Sequence, residues 1–168
     1  ALDESGTPPG AIELEIDESV LADGHEAHVD ALEDASRRGF GVAIVGAFSA
    51  RMPSATLLRA PVSKLKVHRA RVAELPDDAH ARDVVDAVLA FAEALGTTVC
   101  AEGVEAATQA EYLAEIGCPM VQGWHYSQSV ESAQLLALLR RSGSDTVRLP
   151  LVGLEQLERH AHAAGVVH

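Results

Sequence analysis

Five times between Ala11 and Gln122 the chain runs through a short apolar or alternating stretch, and helical spacing fills the gaps between them. The runs are Ala11–Ile16, Gly41–Val45, Lys64–His68, Thr97–Glu102 and Pro119–Gln122. Helices are expected from about Asp23 to Arg38, around Ala55–Arg59, from Asp77 or Asp78 to Leu95, from Ala107 to Ile116 and from Ser132 to Arg140. Gly39, Gly96 and Gly117 stand where three of these helices should stop, because glycine takes the left-handed cap at no steric cost. Strands alternating with helices imply a parallel sheet with right-handed crossovers, the α/β class.

The helix ending at Leu95 carries the clearest stripe: Val84, Val85, Val88, Leu89, Ala92 and Leu95 recur at helical spacing. In the first run Ile12, Leu14 and Ile16 share one face, and Glu13 and Glu15 the other. In an open sheet those glutamates would face solvent. In a closed parallel barrel the outer face packs on helices, so they would point inward, with Glu15 near the mouth. Asp17-Glu18-Ser19 is expected to be a polar loop. The fourth run, Thr97-Thr98-Val99-Cys100-Ala101-Glu102-Gly103-Val104-Glu105, climbs to a carboxylate, breaks on glycine and meets a second acid. That pattern presents charge at the carboxyl edge of a sheet, where ligands of β/α folds bind.

Nearly half of the 168 residues are hydrophobic but only 4% are aromatic, so one domain with an aliphatic core is expected. A net charge of −12 argues against a DNA duplex or membrane surface as partner, since both call for a basic face. Cys100 and Cys118 lack CxxC spacing and read as reduced core thiols. No apolar run approaches the roughly 20 residues that span a bilayer, and no signal peptide is visible, so a cytoplasmic location is expected. Beyond Arg141 the pattern weakens: Thr146–Leu149 could form a strand and Leu154–Ala164 a helix. His160, His162 and His168 find no acids at ligand spacing, and residues 142–168 are expected to be an extension of a domain spanning 1–141.

Parallel strands would gather Glu15, the Gly46-Ala47 loop, Lys66 with His68, Glu102 with Glu105, and Gln122 around one opening. Oxygen ligands of this kind hold Mg²⁺ or Mn²⁺ over a phosphate ester. Equally, Glu15, Lys66 and Glu102 could simply neutralise one another inside the barrel, and spacing does not choose between the two.

The series Glu13-Leu14-Glu15-Ile16-Asp17-Glu18-Ser19, Leu65-Lys66-Val67, Ala101-Glu102-Gly103-Val104-Glu105, Gly117-Cys118 and Gln122-Gly123 resembles the EAL-domain family, from about residue 1 to 141. Members of that family are cyclic di-GMP phosphodiesterases built on a TIM-like parallel (β/α) barrel. The resemblance implies a metal-ligand position at Glu15 and a loop-steadying one at Glu18. It implies that Lys66 orients the attacking water or the phosphate, that Glu102 is a metal or base carboxylate, and that Glu18, Glu105 and Gln122 belong to the ligand-binding set, Gln122 as a polar contact behind the groups that touch the ligand. The family's Asp-Asp-Phe-Gly loop, whose acids bridge two metals, corresponds here to Gly46-Ala47-Phe48-Ser49, with Phe48 keeping the register. Lys66-Val67-His68 stands where the family has Lys-Ile-Asp, and Gln128-Ser129 replaces its basic residue and proline. Metal pairs about 3.5–4 Å apart need anions between them, and Gly46 and Ala47 offer none. His68 is a poor substitute, since imidazole suits Zn²⁺ better than Mg²⁺.

The expectation is therefore a degenerate, non-catalytic EAL-like domain: a protein-interaction or cyclic di-GMP-sensing module without cofactor, or with Mg²⁺ or Mn²⁺ if the family site survives. Its rival is an active metal-dependent phosphodiesterase that hydrolyses the dinucleotide to linear pGpG. The Glu-Ala-Leu signature would lie upstream of Ala1, in a longer protein. Five strands fall short of a barrel's eight. A protein partner or a second copy of the chain is expected to cover the open edges.

Overall fold

The computed structural model describes residues 6–22, 24–48, 55–131, 133–135 and 137. Five parallel strands form one sheet in the order β1 (Glu13–Asp17), β2 (Gly41–Val45), β3 (Lys64–Val67), β4 (Thr98–Glu102), β5 (Met120–Gln122). The intervening helices are α1 (Glu18–Ala22), α2 (Glu26–Arg37), α3 (Ala55–Arg59), α4 (Arg69–Val72), α5 (Ala79–Leu95) and α6 (Ala107–Glu115). Strand order follows chain order, the arrangement of successive β/α units in a TIM-like barrel. The described sheet holds five strands of such a barrel.

Side-chain alternation sorts each strand into two faces. Val42, Ile44, Leu65, Val67, Val99 and Ala101 are buried and form one apolar cluster with Leu32 of α2, Val85, Val88 and Ala92 of α5 and Leu113 of α6. Ile16 packs against the same cluster. The opposite face carries Glu13, Glu15, Ala43, Lys64, Lys66, Cys100, Glu102 and Gln122. Ala43, Lys66 and Cys100 are buried there as well, as expected of central strands in a parallel sheet.

Local chemistry sets the ends of α5. The Asp78 carboxylate accepts from the Ala81 N–H at 2.7 Å, and Gly96 closes the helix at φ 64°, a conformation that favours glycine. Leu95, expected in the apolar stripe, is 37% exposed, because the stripe turns off the core in the last helical turn. Three other expectations are corrected. Asp17-Glu18-Ser19 is not a loop: α1 begins at Glu18, with Asp17 accepting from the Ser19 N–H at 2.9 Å. The helix expected from Asp23 starts at Glu26, after Gly24 at φ 69°. His68 is not part of the third strand, for its ring nitrogen accepts from the Ala70 N–H and caps α4. Pro119 and Ile116 fall one residue outside β5 and α6. Residues 133–135 are helical, within the segment expected from Ser132 to Arg140. The strand and helix expected after Arg141 lie outside the described residues. No helix among the described residues is long and apolar enough to cross a membrane.

Candidate functional site

The face of the sheet turned away from the helices carries two rungs of charge. Lys64 Nζ lies 2.5 Å from Glu13 Oε2. One rung nearer the carboxyl edge, Lys66 Nζ lies 2.5 Å from Glu15 Oε1 and 2.6 Å from Glu102 Oε1. Both lysines on β3 reach across β2 to β1. Strands two apart are separated by roughly 10 Å, a gap that a lysine and a glutamate bridge when the strand between is small. β2 presents Gly41 opposite Glu13 and Ala43 opposite Glu15, so the long side chains pass over it.

The inner rung is the more enclosed. Lys66 is 3% exposed, Glu102 17% and Glu15 50%. Burial works against the lysine charge, but hydrogen bonds to Glu102 and Glu15, together with their charges, outweigh it and hold its pKa above the ordinary lysine value. Gln122 is the register partner of Glu102, and its amide oxygen lies 4.0 Å from Cys100 Sγ. Burial raises the thiol pKa of Cys100 and of Cys118, which keeps both protonated and unreactive at neutral pH.

The loops at this edge are built tightly. Gly103 takes φ 72°, and a Cβ there would come within 2.5 Å of Arg69 Cβ at the start of α4. Val104, fully buried, donates its N–H to Gln122 O at 3.1 Å and accepts from the His125 N–H at 2.9 Å. A Cβ on Gly123 would overlap the Val104 backbone. Buried Gln109 accepts from the N–H groups of Glu105 and Ala106, capping α6. The loop after β2 is different in kind. Gly46 turns at φ 77° and donates to Lys66 O at 3.1 Å, and Ala47 is buried in the apolar cluster. Phe48 takes φ 64° and packs edge-on against Phe91 of α5, ring centroids 5.4 Å apart.

The structure thus brings Glu15, Lys66 and Glu102 into one ionic contact, with Gln122 beside it and Gly46 against the Lys66 backbone. Glu105 is exposed beyond the rung, with its amide held by Gln109. Glu18 heads α1, and residues 49–54 lie outside the described residues. His68 is exposed and engaged as a helix cap. Among the described residues no group of three His, Cys, Asp or Glu side chains could hold a metal ion. Sequence reasoning missed the Glu13–Lys64 rung, although the paired spacings Glu13/Glu15 and Lys64/Lys66 carry its signal. It also missed Gln109, whose signal is a glutamine at the third helical position, where its side chain reaches back to free N–H groups.

Comparison with known proteins places these features. The EAL-domain family model matches residues 1–129. The bifunctional diguanylate cyclase/cyclic di-GMP phosphodiesterase MucR of Pseudomonas aeruginosa is 33% identical over 129 residues, covering 77% of this chain and 19% of its own length. The EAL domain of Mycobacterium smegmatis DcpA superposes with a TM-score of 0.79 at 33% identity, covering 89% of this chain and 64% of that one. A manganese and cyclic di-GMP complex of Klebsiella pneumoniae BlrP1 superposes with a TM-score of 0.69 at 25% identity, covering 76% of this chain and 32% of that one. The chain therefore spans about a fifth of the length of that curated relative. The fold is an incomplete EAL-type TIM-like barrel, and the chain belongs to the EAL-domain family.

Proposed function

We propose that this domain is a non-catalytic EAL module in bacterial cyclic di-GMP signalling, and that it acts by binding a protein partner. The observation that carries the reading is the loop after β2: Gly46 and buried Ala47 supply no oxygen side chain where the family resemblance expects two metal-bridging acids. A manganese complex is described for BlrP1, but the donor set here does not fit a metal pair. Glu15 and Glu102 already share one ammonium, and no third acid stands with them among the described residues. Two carboxylates against one lysine leave the rung net negative. A negative mouth without metal repels a phosphodiester rather than attracting it.

The rival reading is an active phosphodiesterase that yields linear pGpG. It is supported by Glu15, Lys66, Glu102 and Gln122 standing together, and it would need acids from outside the described residues. Incubation of the chain with cyclic di-GMP and Mg²⁺, Mn²⁺ or Ca²⁺, followed by chromatography and calorimetric titration, separates the readings. The expected outcome is no pGpG and no heat of binding. Heat without turnover would make the domain a cyclic di-GMP sensor, and accumulation of pGpG would overturn the proposal.

A further inference from the structure

We infer that the Lys66 ammonium is the resident cation of this site, standing where a divalent metal would otherwise lie between Glu15 and Glu102. This deepens the non-catalytic reading and rests on it. The geometry is specific. Glu15 on β1 and Glu102 on β4 come from strands on opposite sides of β3, yet both present an oxygen to one nitrogen, at 2.5 and 2.6 Å. The lysine that joins them is almost completely buried, at 3% exposure. An ammonium so held is already compensated by two anions.

A metal bound to the same oxygens would have to displace the ammonium or sit against it. Displacement would strand a buried positive charge. Coexistence would place two cations about 3 Å apart, and their mutual repulsion would take back a large part of what the metal gains from the two carboxylates. A third anion would relieve that repulsion. The loop that packs on the Lys66 backbone, Gly46-Ala47, has none to give, and His68 carries no anion and holds its Nδ1 against the Ala70 N–H. The outer rung adds no free carboxylate, since Glu13 is paired with Lys64. The lysine thus acts as a positioning residue: it holds the mouth of the sheet assembled with no metal bound.

Replacing Lys66 by a neutral side chain of similar length should turn this arrangement into a metal site, because two facing carboxylates would be left without a cation. Mn²⁺ is the probe, its free ion followed by electron paramagnetic resonance during titration of the full chain. The wild type is expected to show no saturable loss of free Mn²⁺ signal beyond that of a Glu15→Gln/Glu102→Gln double variant, which subtracts surface sites. Lys66→Met is expected to gain one saturable site and an Mn²⁺-dependent rise in Tm, both lost again in Lys66→Met/Glu102→Gln. Saturable Mn²⁺ binding by the wild type that disappears in the double variant would overturn the inference, and so would a folded Lys66→Met that gains nothing. If Lys66→Met does not fold, the wild-type titration decides alone. Metal binding by the wild type with no pGpG formed would sink this inference and leave the non-catalytic reading standing. pGpG formation would sink that reading itself.

Discussion

The loops after β2 and β4 occupy equivalent places at the carboxyl edge, and they keep different parts of the family pattern. After β4, Gly103 and Val104 each have a structural duty, close approach to Arg69 and burial against Gly123, while Glu105 enters through its backbone N–H, held by Gln109. After β2, Phe48 retains its packing duty against Phe91, while Gly46 and buried Ala47 stand where the family resemblance expects two acids. The difference teaches that a family motif mixes residues that build the fold with residues that do chemistry. The first kind persists because losing it unfolds the edge. The second kind can vanish without structural cost. Kinship read from the β4 loop therefore carries no information about turnover.

If that division is right, the largest effect should come from the builder with the least room. Gly123→Ala places a methyl into the Val104 backbone, which cannot move without breaking its bonds to Gln122 and His125. A loss on the order of 3 kcal/mol is expected, at the upper end for overpacking, read as a fall in the urea midpoint. An unchanged midpoint would mean that the two loops are not clasped and would remove the contrast.

Much of this was legible in the sequence, and the gaps have physical reasons. Strand and helix alternation is written in local spacing, so β1 to β5, α5 and α6 could be placed, with Gly39, Gly96 and Gly117 as punctuation. The one-turn helices α1 and α4 are too short to show a period, which hid them behind polar residues. Glu15, Lys66 and Glu102 could be gathered at one edge, but their sharing of a single proton-rich nitrogen depends on β2 being small, a property of register. Gly123 could be recognised as part of a motif, whereas its reason, the Val104 backbone, lies on another strand's loop.

The two charged rungs sharpen the comparison at smaller energies. Lys66→Met leaves Glu15 and Glu102 facing each other, and about 2 kcal/mol should be lost, less than for a fully buried pair because Glu15 is half exposed. Lys64→Met breaks a rung whose lysine water reaches more freely, at 18% exposure against 3% for Lys66, and should cost below about 1 kcal/mol. The pH dependence has a sign. The Lys66 pKa is raised in the folded state, so its contribution is complete below the ordinary value of 10.5 and is lost as pH rises through the higher folded value. The gap in urea midpoint between wild type and Lys66→Met should hold through neutral pH and close only in strongly alkaline buffer. A gap that closes near neutrality would show that the rung is not held by the lysine charge.

The smallest effect tests whether an acid at this edge can be a builder. Asp17 follows Glu15 by two residues, yet its carboxylate caps α1 through Ser19. Hydrogen bonds from Ser19 lower its pKa below 3.8, with a minor contribution from His68. A depressed carboxylate stabilises the fold above its unfolded pKa and loses that contribution as pH falls through the lower folded value. Asp17→Ala should cost about 0.5 kcal/mol at neutral pH, low in the range for caps because the group is exposed, and Asp17→Asn much less, since asparagine caps as well. The deficit of Asp17→Ala should shrink in acid, as wild-type Asp17 protonates, and urea melts in buffers from neutral to below pH 3.8 would follow it. A deficit that grows in acid would assign Asp17 to another partner, and the division between builders and chemistry would then fail at β1.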